Sequence, residues 1–105
     1  MSQPERQNKR YKVLCIEDDK IVRNNLLLFL EDEGYEVFGA ADGLEGLDLF
    51  RLEKPAVVLS DLRMPGVNGL EVLKTVKQES PNTEVIIVSG TGREQDLVQC
   101  INMGA

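Results

Sequence analysis

The residues in this chain that could do chemistry are acidic, and they stand where short apolar runs stop. Val13-Leu14-Cys15-Ile16 ends in Glu17-Asp18-Asp19, Ala56-Val57-Val58-Leu59 ends in Ser60-Asp61, and Val85-Ile86-Ile87-Val88 ends in Ser89-Gly90. Carboxylates brought together repel one another. A divalent cation relieves that repulsion, and an all-oxygen donor set favours Mg2+ or Mn2+. A carboxylate held beside such an ion can act as a nucleophile toward phosphorus, because the metal offsets charge between two anions. Acidic residues just after a strand also serve as helix N-caps, and Asp18 or Asp19 fits that role equally. Spacing alone leaves both readings open.

The elements that must position these residues follow from the apolar pattern. The three runs are short, rich in β-branched residues and do not alternate, which predicts strands buried on both faces. Tyr35-Glu36-Val37-Phe38-Gly39 is weaker and partly alternating, as in an edge strand. Helical patterns lie between the strands. One runs over 21–33 and is closed by Gly34. Asp42-Gly43-Leu44-Glu45 and Asn68-Gly69-Leu70-Glu71 have capping-box spacing, followed by the stripes Leu44, Leu47, Phe50 and Leu70, Leu73, Val76. Thr91-Gly92-Arg93-Glu94 repeats the device before Leu97, Val98 and Ile101, predicting a fourth helix to the end of the chain. Strand and helix alternate four times, so the expected fold is α/β, a doubly wound parallel sheet with right-handed crossovers. In such sheets a ligand site lies outside the carboxyl ends of the strands where strand order reverses, and there Glu17, Asp18 and Asp61 would converge, with Ser89 arriving from the fourth strand.

Composition narrows the classes. The chain has 105 residues, 42% hydrophobic and 29% charged, enough for one domain with a modest core. Lys and Arg number 12 against 18 Asp and Glu, a net charge of −6, which argues against binding a nucleic-acid backbone. No apolar run approaches a membrane span. There is no histidine, which excludes a Ser-His-Asp triad, a Cys-His dyad, a His-ligated metal and a phosphohistidine donor. Cys15 and Cys100 each sit in an apolar stretch and read as buried thiols of a cytoplasmic protein rather than a disulfide or ligand pair. Residues 1–10 are a polar tail containing Pro4.

From Tyr11 to Ala105 the sequence resembles the receiver domains of two-component response regulators. The most specific segment is Asp61-Leu62-Arg63-Met64-Pro65-Gly66-Val67-Asn68-Gly69, which looks like the family's phospho-acceptor aspartate, Met-Pro pair and helix-opening glycine. Glu17-Asp18 matches its acidic pair, with Arg23 five residues after Asp18 fixing the alignment. Val88-Ser89-Gly90 matches its hydroxyl residue after the fourth strand, and Gly104-Ala105 the close of its fourth helix.

The resemblance implies a flavodoxin-like (CheY-like) fold with strand order 2-1-3-4. It implies that Asp61 accepts a phosphoryl group from a sensor histidine kinase or histidine phosphotransfer protein in a Mg2+-dependent reaction, and so switches a downstream output. The domain would then be a phosphoryl acceptor, not an enzyme. Asp18 and Asp61 would bind Mg2+ directly and Glu17 through water, with the backbone carbonyl of Arg63 completing the protein ligands. Ser89 would hydrogen-bond the phosphoryl group.

Two features depart from the family pattern: the C-terminal elements are missing, and Glu17 stands where aspartate is commoner, a change the family tolerates. Family members continue into a fifth strand, a Lys-Pro pair and a fifth helix, so 11–105 reads as a receiver incomplete at its C-terminus, with any output domain beyond it. Leu26-Leu27-Leu28-Phe29-Leu30 is apolar nearly all round, as if it needed that fifth helix for cover. This expectation carries two others: the fourth strand becomes an apolar sheet edge, and the chain self-associates through that edge or through the first helix.

Rival chemistries fit less well. A haloacid-dehalogenase-like phosphatase needs a second aspartate where Arg63 stands, and a P-loop needs a lysine that 89–93 lacks. The alternative that remains is a receiver-like module that binds partners without being phosphorylated.

Overall fold

The structure, a computed structural model, describes residues 11–64, 66–88 and 100–102. In chain order the elements are β1 (Lys12–Ile16), α1 (Lys20–Asp32), β2 (Glu36–Ala40), α2 (Gly43–Glu53), β3 (Val57–Asp61), α3 (Gly69–Glu79), β4 (Glu84–Val88) and β5 (Cys100–Asn102). The sheet order is β2-β1-β3-β4-β5. The four strands β2, β1, β3 and β4 are parallel, in the expected order 2-1-3-4. Chain order reverses between β1 and β3, which places the crevice between their carboxyl ends.

Each short apolar run became a strand because it is buried. Val13, Leu14, Cys15 and Ile16 are all buried, while β3 and β4 alternate, with Val58, Ser60, Val85 and Ile87 turned inward. That inward face is covered by α2 through Leu47 and Phe50 and by α3 through Val72, Leu73 and Val76, forming one core with Leu14, Ile16 and Met64. Each such side chain contributes about 1.5–3 kcal/mol by leaving water. On the opposite face α1 lies over β1 and β2, where Leu27 packs against Gly39.

The caps form largely as spacing suggests. Asn68 and Glu71 make a complete capping box. At α2 the Asp42 carboxylate accepts from the Glu45 amide at 2.8 Å, but Glu45 reaches one residue further back and accepts from the Ala41 amide at 2.8 Å. Cys15 is a free, buried thiol pushed up to about 12 by burial.

Three expectations are corrected or bounded. A helix running through Ile101 does not form there. Cys100–Asn102 is a strand, pairing antiparallel with β4, with Val88 opposite Cys100 and Ile86 opposite Asn102. Asn, Ile and Cys are middling helix formers, and an uncovered β4 would present a row of unpaired amides and carbonyls. For the same reason β4 is not a bare edge from Ile86 to Val88. The polar tail 1–10, Ser89 and the start of the expected fourth helix lie outside the described residues. The expectation for α1 holds: none of its residues is buried, and Leu28 and Phe29 are 65% and 62% exposed.

Candidate metal and phosphoryl-acceptor site

β1 and β3 run parallel with Ile16 opposite Ser60, so the next residues, Glu17 just past β1 and Asp61 at the end of β3, lie side by side. Glu17 stays tied to the sheet because its amide donates to the Ala40 carbonyl at 3.0 Å. Its own carbonyl accepts from Arg23 Nη1 at 2.8 Å. That contact spends the Arg23 guanidinium on backbone rather than on the carboxylates.

The three consecutive acidic residues divide their roles. Asp19 is the N-cap of α1: its Oδ1 accepts from the amides of Ile21 at 2.9 Å and Val22 at 3.1 Å. Glu17 Oε2 accepts from the Asp19 amide at 3.0 Å, which folds the acidic turn back on itself. Asp18 takes no part in the cap. It is exposed and faces the other two carboxylates. Glu17, Asp18 and Asp61 each offer one oxygen, and these oxygens all lie within 4.8 Å of one another.

The electrostatics follow from that crowding. Burial pushes the Glu17 carboxyl up to about 7, and the nearby charges of Asp61 and Asp18 add to the rise, while the Asp19 amide opposes it. Asp61 is also raised, first by burial and then by the charge of Asp18. The nearby backbone amides of Leu62 and Arg63 and the charge of Arg63 pull the other way. A group of three hard oxygen donors with unrelieved negative charge suits Mg2+.

The loop after β3 is shaped by glycine. Gly66 takes φ 77°, a left-handed conformation that turns the chain back toward α3. Gly69 opens α3 hard against the loop, and its amide donates to the Leu62 carbonyl at 3.0 Å. A Cβ there would stand 2.5 Å from the Asp61 carbonyl oxygen and 2.9 Å from Leu62 Cα. A cavity of about 240 Å³ adjoins the site, its walls including Val22, Leu26, Leu59 and Val88 beside Glu17 and Asp61.

The structure therefore brings together Glu17, Asp18 and Asp61, with Arg63 near enough to Asp61 to favour its charge. Ser89 lies outside the described residues. The amides of Leu62 and Arg63 carry no signal in side-chain type, so the sequence did not reveal their influence on Asp61. The close approach of Gly69 could have been suspected only from a glycine directly following an N-cap.

A sequence model of the family described as "Response regulator receiver domain" matches residues 13–105. The chain is 40% identical over 88 residues to sporulation initiation phosphotransferase F of Bacillus subtilis, covering 84% of this chain and 70% of that protein. It is 35% identical over 94 residues to the cell cycle response regulator CtrA of Brucella ovis, covering 90% of this chain but only 40% of that protein. Among solved structures, a CheY-like receiver domain protein of Methanospirillum hungatei superposes with a TM-score of 0.76 at 30% identity, covering 84% of this chain and 70% of that one. The response regulator TrrA of Thermotoga maritima, solved in complex with Mg2+-BeF, superposes with a TM-score of 0.74 at 29% identity, covering 78% and 71%. The chain belongs to the receiver domains of response regulators, the class whose partners are histidine kinases or phosphotransfer proteins. No helix among the described residues is long and apolar enough to cross a membrane.

Proposed function

We propose that Asp61 is the phospho-acceptor of this receiver and that the domain acts as a cytoplasmic switch rather than as an enzyme on a separate substrate. The observation that carries the reading is the convergence of Glu17, Asp18 and Asp61 at the carboxyl ends of neighbouring strands. An Asp61 oxygen attacks the phosphorus of a phosphohistidine; the new O–P bond forms as the P–N bond breaks, and the leaving imidazole takes up a proton from water. The nearby Leu62 and Arg63 amides favour the ionised carboxylate that makes that attack. Glu17, Asp18 and Asp61, with the Arg63 carbonyl, would hold Mg2+, which when bound offsets the charge between the carboxylate and the incoming phosphoryl oxygens. Family resemblance alone supports the role of Ser89 as a hydrogen-bond donor to the phosphoryl group. The donor is a sensor histidine kinase or a histidine phosphotransfer protein, consistent with a chain that contains no histidine of its own.

The test is phosphoryl uptake from acetyl phosphate in Mg2+ and in EDTA. Uptake in Mg2+ and none in EDTA is the expected result. Uptake indifferent to the metal would overturn the assignment of the carboxylates as a cation site.

A further inference from the structure

Ser60 is a polar residue in an apolar place. It sits inside β3, is 1% exposed, and shares the core face with Val58, Val85 and Ile87. Its hydroxyl is satisfied by the backbone next door: Oγ donates to the Asp61 carbonyl at 3.0 Å. α3 also comes close to the same carbonyl oxygen: a Cβ on residue 69 would stand 2.5 Å from it, so only glycine fits there. The Asp61–Leu62 peptide is therefore bonded by the Ser60 hydroxyl and closely approached by Gly69. That peptide carries the Leu62 amide, and the Arg63 amide follows directly after it; both lie near enough to the Asp61 carboxylate to favour its charge.

We infer that Ser60 is a positioning residue for the phospho-acceptor: its hydroxyl, with Gly69 as counter-support, sets the peptide plane that aims the Asp61 carboxylate. The inference rests on the assignment of Asp61 as acceptor. A hydroxyl in this strand costs burial that an aliphatic residue would not, and its one bond goes to the residue that would do the chemistry. Alanine keeps the β-carbon and removes only the hydroxyl. Threonine keeps the hydroxyl.

The experiment compares wild type, Ser60→Ala, Ser60→Thr and Gly69→Ala by amide NMR at one fixed pH and by the rate of acetyl phosphate uptake. The Leu62 and Arg63 amide resonances should move in Ser60→Ala and in Gly69→Ala, and return toward wild-type positions in Ser60→Thr. Uptake should fall about tenfold in Ser60→Ala, roughly what loss of about 1.4 kcal/mol of transition-state stabilisation gives, with the unfolding midpoint little changed. Ser60→Ala combined with Gly69→Ala should lose less than the product of the two single effects, because both act on one carbonyl. Unmoved Leu62 and Arg63 amides in Ser60→Ala would overturn the inference, whatever the uptake. Failure of the wild type to take up phosphate would instead count against Asp61 as acceptor, and the amide shifts would still decide the role of Ser60.

Discussion

Glu17 and Asp61 end adjacent parallel strands one residue beyond the Ile16–Ser60 pair, so sheet register alone sets their carboxylates in one site. Neither sits on a flexible loop tip. Glu17 is the first residue past β1 and Asp61 the last residue of β3, which is why charges that repel are held together at all.

The division between Asp18 and Asp19 is the first testable consequence. Asp19→Ala removes two first-turn hydrogen bonds of α1 and should cost about 1 kcal/mol of stability. Its stabilisation by Mg2+ should survive. Asp18→Asn should do the reverse, with little change in metal-free stability and most of the Mg2+ response lost. For the wild type, Mg2+ at 100 times its dissociation constant adds about 2.7 kcal/mol by mass action. Thermal unfolding of the three proteins with and without Mg2+ checks this. An equal Mg2+ response in Asp18→Asn would remove Asp18 from the ligand set.

The second prediction concerns pH. Glu17 is raised in the folded protein from 4.5 to about 7. Between those values the folded state keeps a proton that the unfolded state has released. Its contribution to stability is therefore full below about 4.5 and is lost as pH rises through about 7. The whole shift corresponds to about 3 kcal/mol at 1.36 kcal/mol per unit. Glu17 is only partly buried, so solvent screening reduces this to about 1 kcal/mol. Urea midpoints in EDTA should fall between pH 5 and pH 8, and Glu17→Gln should flatten that fall. Saturating Mg2+, which favours the ionised carboxylates, should cancel or invert it. A midpoint that rises with pH in EDTA and does so equally in Glu17→Gln would contradict the electrostatic account.

The third prediction concerns α1. Leu28 and Phe29 are more than half exposed, and pairing of β5 with β4 removes the expected strand-edge route to association over Ile86–Val88. Of the two expected routes, the face of α1 is then the one to test. Leu28→Lys with Phe29→Glu should shift sedimentation toward monomer and change stability by no more than about 0.5 kcal/mol per substitution, as for surface positions. Association unchanged by this pair would move the contact elsewhere.

Much of this was readable from residue order because the informative signals are local. Buried strands announce themselves as unbroken apolar runs, and acids that end such runs mark the carboxyl edge of a parallel sheet. The capping box at Asn68 and Glu71 is complete within four residues. What escaped reading depends on partners distant in sequence. The three-residue strand at Cys100–Asn102 exists because β4 offers it backbone groups, and no periodicity records that. The choice of Asp19 over Asp18 as cap depends on backbone angles at the strand exit, which three consecutive acids do not reveal. Ser60 looked like the polar end of a run, and only packing shows it to be a core residue.

The most direct measurement is intact mass of the wild type and of Asp61→Asn after incubation with acetyl phosphate and Mg2+. Asn is nearly isosteric and keeps the fold, but its amide is no nucleophile toward phosphorus. The account predicts one added phosphoryl group on the wild type and none on Asp61→Asn. Equal addition to both proteins would show that the phosphoryl group goes to another residue.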